Sequence, residues 1–73
     1  MQRIAPNSPA LLTTIGRPYV QQSLWDRADD PLERALALLE TSVAWETLGD
    51  CRKGEGDLAA AATCYANALR VAR

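Results

Sequence analysis

Two cysteines, Cys51 and Cys64, are the only thiols in a chain that has no histidine. They stand thirteen residues apart with no second pair, which gives neither a tetrahedral zinc set nor a Cys-x-x-Cys redox motif. Arg52, next to Cys51, is a cation of the kind that could lower a thiol pKa. With no His or resolving Cys nearby, both cysteines nevertheless read as small, half-buried residues of a reducing compartment, the alternative being a disulfide between adjacent helices. Four acids, Asp26, Asp29, Asp30 and Glu33, crowd one segment, but they lack the alternating oxygen ligands and central glycine of a calcium loop and read as a solvated helix start. Glu46 and Asp50 lie one helical turn apart, a spacing open to acid–base work, yet no His or pocket-forming apolar residue accompanies them. The expectation is a chain with no catalytic residue, no metal site and no cofactor: not an enzyme.

Composition narrows the field further. The 73 residues carry a net charge of −1, with eight basic and nine acidic groups interspersed, so no field draws in nucleic acid or anionic lipid. The longest charge-free stretches, Ile4 to Gly16 and Leu58 to Leu69, fall short of the roughly 20 apolar residues of a membrane span. Pro6, Asn7, Ser8 and Pro9 occupy the place of a signal peptide's apolar region, so none is expected. Of the 48% hydrophobic residues, thirteen are Ala and none is Phe, which leaves a thin core for one small folding unit.

What must position these side chains emerges from self-comparison. A shift of 33 aligns Leu12 with Trp45, Ile15 with Leu48, Gly16 with Gly49, Ala28 with Ala61, Leu32 with Tyr65, Ala35 with Ala68 and Leu36 with Leu69. It also sets Pro18 on Cys51 and Pro31 on Cys64. Within each copy the apolar and small residues recur at three- and four-residue spacing, so each copy is predicted to be a helical hairpin. The second turn reads Gly54, Glu55, Gly56, Asp57: a glycine to end one helix in the left-handed region and an Asp to cap the next. The first turn reads Gln21, Gln22, Ser23, with Ser23 and Asp26 spaced as a weak capping box. Gly16 with Ala28, and Gly49 with Ala61, are expected to let the two arms cross closely, with Trp45, Leu48, Tyr65 and Leu69 filling the space beside the crossing.

These residues carry a family resemblance. Trp45-x-x-Leu48-Gly49, then Gly56-Asp57, Ala61-x-x-x-Tyr65 and Ala68-Leu69, resembles a tetratricopeptide (TPR) repeat, departing from its pattern at Arg52 and Arg73. Leu12, Ile15, Gly16, Tyr19, Ala28 and Leu32 give the first copy the tyrosine that the second lacks. More narrowly, Leu11-Leu12, Gly16-Arg17, Leu24-Trp25, Ala28, Leu32-Glu33 and Leu36-Ala37-Leu38 are similar to the C-terminal repeats of HemY-type proteins of heme synthesis. That family carries N-terminal membrane helices, so the chain looks like an excised or separately encoded C-terminal part.

The resemblance implies an all-α fold of two tandem helical hairpins, a fragment of an α-solenoid: a flexible segment 1–8, repeat one over 9–41 and repeat two over 42–73. It implies a concave partner groove showing Thr13, Arg17, Val20 and Gln21, then Val43, Glu46, Asp50 and Lys53. Where related modules grip a C-terminal carboxylate, this chain has Thr13, Arg17, Val43 and Thr47, so only Arg17 is an anion donor and carboxylate capture is not expected. The implied function is a protein-interaction scaffold for heme-synthesis enzymes on the cytoplasmic face of the inner membrane. The alternative is a homo-oligomerisation unit, a symmetric dimer through Leu58, Ala62 and Leu69.

Pro18 and Pro31 fall where helix interiors are expected, at a cost of about 3 kcal/mol each. Pro18 is expected to bend or end the first helix. Asp30, Pro31 and Glu33 read as N-cap, first residue and capping acid of a second helix that starts late or kinks.

Overall fold

The computed structural model describes residues 8–72. These residues form an all-α fold of four helices: α1 (Pro9–Gln21), α2 (Trp25–Leu38), α3 (Ser42–Gly54) and α4 (Leu58–Ala72). α1 packs on α2 and α3 on α4; α2 lies against α3 and joins the two pairs, with a smaller contact between α1 and α3. Residues 1–7 of the segment expected to be flexible lie outside the described residues. Ser8, the last of that segment, instead caps α1, its Oγ accepting from the Leu11 N–H at 3.5 Å.

The two turns are built alike, 33 residues apart. In the first, the Ser23 N–H donates to the Val20 carbonyl and the Leu24 N–H to that of Tyr19, with Ser23 at φ 61. In the second, the Gly56 N–H donates to Lys53 and the Asp57 N–H to Arg52, with Gly56 at φ 89. Both are Schellman closures, in which a left-handed residue turns the chain so that two amides reach back to the last carbonyls. Ser23 is therefore the closing residue of α1 and makes no capping box with Asp26: Leu24 stands at the N-cap of α2, which has no side-chain cap. Asp57, at the matching position, does cap α4, its Oδ1 accepting from the Ala60 N–H at 3.1 Å.

Neither proline stops a helix. α1 runs through Pro18 to Gln21, and α2 begins at Trp25 and runs through Pro31. The carbonyls deprived of a donor belong to Thr14 and Arg27, both exposed, so water can serve them. The capping set expected at Pro31 is dissolved into the helix. Asp30 pairs with Arg34 at 3.5 Å and Glu33 reaches Arg52 at 3.2 Å.

The core is a cluster of Ala28, Leu32, Leu48, Cys51 and Cys64, flanked by Tyr19, Val20, Trp25, Leu36 and Trp45. Of the positions expected to pack helices, Leu12, Gly16, Ala28, Leu32, Leu48, Gly49, Ala61 and Ala68 are buried, and Trp45 and Tyr65 are half-buried. The glycines are roofed by the residue sixteen further on: a Cβ on Gly16 would lie 2.8 Å from Leu32 Cγ, and one on Gly49 2.7 Å from Tyr65 Cε1. Two expectations fail. Ile15 is 41% exposed and Leu69, expected to fill space beside the crossing, is 69% exposed, because among the described residues no element covers the outer faces of α1 and α4.

Ala61 is 3% exposed. Ala61→Leu is expected to overpack the contact between α3 and α4 and cost about 1 to 3 kcal/mol. Urea melts measure it; an unchanged midpoint means that the arms do not press together there.

Candidate partner groove and its support

α1 and α3 lie side by side, and the cleft between them is lined by Arg17, Val20, Gln21, Val43, Glu46, Thr47 and Asp50, enclosing about 280 Å³. It adjoins a second depression that shares Arg17 and Val43 and adds Thr13, Thr14, Leu39 and Thr41. Helical period accounts for the lining: positions 17, 20 and 21 share one face of α1, and 43, 46, 47 and 50 one face of α3. Of the eight residues expected to form a groove, six line the first cleft. Thr13 borders the second as a buried residue, 6% exposed, and Lys53 is exposed but lines neither. Thr47, expected at a carboxylate-gripping position but not among the eight, also lines the first cleft; its hydroxyl donates to the Val43 carbonyl at 2.7 Å, which holds it flat on the helix.

The groove's charges are one cation, Arg17, against two anions, Glu46 and Asp50. Asp50 is fixed from behind, accepting a short hydrogen bond from the Tyr65 hydroxyl. That bond, with smaller contributions from burial and the carboxylate's charge, pushes the Tyr65 phenol up to about 12. Glu46 and Asp50 thus share a face as spacing predicted, in an open cleft with two valines.

The densest polar cluster was not legible in the spacing. Arg52 Nη1 lies 2.8 Å from Asp29 Oδ1 and 2.8 Å from Glu55 Oε1, and Nη2 lies 3.2 Å from Glu33 Oε1. Asp29 and Glu33 belong to the acidic segment read as a solvated helix start; the fold instead folds them over Arg52, 19 to 23 residues away in sequence. A second clip joins Glu40 to Arg70 at 2.8 Å and to the Trp45 indole N–H at 3.0 Å. The hydrogen bond from Arg70, then that from Trp45, holds the Glu40 carboxyl below its ordinary range.

Cys51 is fully buried, and its thiol donates to Asp29 Oδ1 at 3.2 Å. Asp29, Cys51 and Glu55 bring their ligand atoms within 4.8 Å of one another. The positive charge these groups face is the Arg52 guanidinium, which bridges both carboxylates. Arg52 does not activate the thiol. Burial first, then the hydrogen bond to Asp29 and the charges of Asp29 and Glu55, push Cys51 up to about 12, and the opposing pull of Arg52 is the smallest effect. Burial raises Cys64 as well, and both cysteines are free thiols.

This has a pH consequence. Above about 9, the ordinary thiol value, the unfolded chain releases a proton that folded Cys51 retains, so the folded state binds more protons and stability falls as pH rises from about 9 towards 12. Cys64 and Tyr65 add to the same trend. The urea midpoint of the wild type is expected to drop between pH 8 and pH 10.5, and Cys51→Ala to make that drop shallower. An identical drop in the variant would show that the thiol is not held protonated by the fold.

Comparison with protein-family models, curated proteins and solved structures finds no match. Among the described residues no helix is long and apolar enough to cross a membrane.

Proposed function

We propose that this chain is a protein-interaction module of the tetratricopeptide type that holds a short segment of a partner polypeptide in the groove between α1 and α3. The observation that carries the reading is the groove itself: six of the eight residues that the resemblance implies line one open cleft, which sets two valines beside Arg17, Glu46 and Asp50. Val20 and Val43 offer apolar contact, while Glu46 and Asp50 outnumber Arg17 and favour a segment carrying Lys or Arg. No side chain is assigned a catalytic role. The HemY resemblance narrows the proposal to scaffolding of heme-synthesis enzymes at the cytoplasmic face of the inner membrane; its support is the residue run from Leu11 to Leu38.

Affinity capture followed by mass spectrometry tests the groove when three baits are compared. Wild type and Leu58→Ser, altered outside the groove, should retain the same partners. Val43→Arg combined with Glu46→Arg should lose them. Equal capture by the groove variant removes the reading.

A further inference from the structure

The 33-residue repeat lets each outer face be compared with a buried counterpart inside the same molecule. In the middle of the chain α2 lies against α3, and there Leu48 is 5% exposed and Cys51 fully buried. The residues 33 earlier, Ile15 and Pro18, are both exposed on α1. On the other side of that contact Trp25 and Leu36 are half-buried against the core. The residues 33 later, Leu58 and Leu69, are 66% and 69% exposed. Each end of the molecule thus displays one half of a contact whose two halves meet in its centre.

We propose that copies of this chain stack head to tail, α4 of one copy seated on the α1–α2 face of the next as α2 is seated on α3. The receiving surface exists: a cleft of about 480 Å³ between α1 and α2 includes Leu12, Ile15, Tyr19 and Pro31. Their counterparts 33 later are Trp45, Leu48, Arg52 and Cys64, of which Leu48 and Cys64 form the core together with Ala28 and Leu32 of α2. The occupant is a second copy because the repeat supplies both partners of the contact, and because the substitutions between copies compensate. Inside the chain the contact carries Arg52 against Asp29 and Glu33. Between copies the same positions are Tyr19 against Ala62 and Ala66, so the guanidinium and its carboxylates are removed together and no charge is buried unpaired. The cleft's rim, Asp26, Arg27, Asp30 and Arg34, is balanced in charge, and α4 has no charge from Leu58 to Leu69.

A symmetric dimer through α4 would cover Leu58 and Leu69 but leave the cleft at Ile15 open. The head-to-tail contact covers both, and being heterologous it does not close at two copies. It goes beyond the groove reading and is independent of it.

Sedimentation equilibrium over a wide concentration range, with exchange between variants, tests the geometry. The wild-type mean mass should climb past twice the monomer. Ile15→Arg damages only the receiving face and Leu69→Arg only the inserting face, so each alone should run as a monomer. Their equimolar mixture still holds one intact pair of faces and should double in mass and stop. Circular dichroism checks that both variants stay helical, and Ile15→Gln with Leu58→Gln repeats the exchange with milder changes. A wild type that remains monomeric at millimolar concentration overturns the proposal. So does an Ile15→Arg variant that still dimerises, which marks the symmetric α4 contact, and so does a mixture of two monomeric variants that fails to associate.

Discussion

Leu32→Ala is expected to remove most of the chain's stability. The side chain is 0% exposed, sits in the cluster with Leu48, Cys51 and Cys64, and covers Gly16, so its loss opens a cavity where both helix pairs meet. Large-to-small changes at such sites cost about 2 to 5 kcal/mol. The core of a chain of this length rarely supplies more than about 3 to 5 kcal/mol, so a single cavity consumes most of the margin. Far-UV circular dichroism with a urea titration measures the effect. Leu58→Ala makes the same chemical change at a 66% exposed position and should shift the midpoint of a dilute sample by less than about 0.5 kcal/mol. If the two variants melt alike, Leu32 is not at the centre of the core.

Arg52→Leu should be nearly as damaging, for a different reason. The guanidinium is 21% exposed and its carboxylates on Asp29 and Glu55 are 25% and 27% exposed, while Glu33 is 60% exposed. Removing the cation leaves two partly buried carboxylates facing one another without a counter-charge, served only by the Cys51 thiol. Truncating one side of a buried pair costs about 3 to 5 kcal/mol. Solvent screening at these partly wetted groups lowers the expected loss to about 2 to 3 kcal/mol. Arg52→Lys should recover only part of it, since one ammonium cannot bridge three carboxylates as the planar fork does. Urea midpoints of the three proteins decide this. A Leu variant within about 0.5 kcal/mol of wild type would mean that the cluster is an exposed surface pairing of little energetic weight.

The helices and their turns were legible because the interactions that make them act over a few residues. Three- and four-residue spacing marked four helical stretches, and Gly56 and Asp57 announced the second turn. The first turn was misread at Ser23, a serine in the left-handed position that glycine takes in the other copy; a hydroxyl residue before a helix signals a cap, and only the backbone geometry shows it closing the previous helix instead. That Pro18 does not end its helix and Pro31 does not delay its own was illegible for a related reason. Their cost was set by whether Thr14 and Arg27 carbonyls face water, which a local pattern does not encode.

The sequence by itself determined the all-α class, the 33-residue register, the small residues at the helix contacts and six of the residues that line the groove. The class, the register and the small residues follow from periodicity along a single chain, and the groove residues from the tetratricopeptide resemblance. Tertiary structure alone decided which member of each repeated pair is the more buried: Leu48 over Ile15, Leu36 over Leu69. It alone joined Arg52 to Asp29 and Glu33 and set the Cys51 thiol against its neighbouring arginine. The physical reason is that burial and charge pairing depend on what lies across the contact. Two copies with the same internal spacing acquire different surroundings as soon as one of them has a neighbour on its outer side and the other does not.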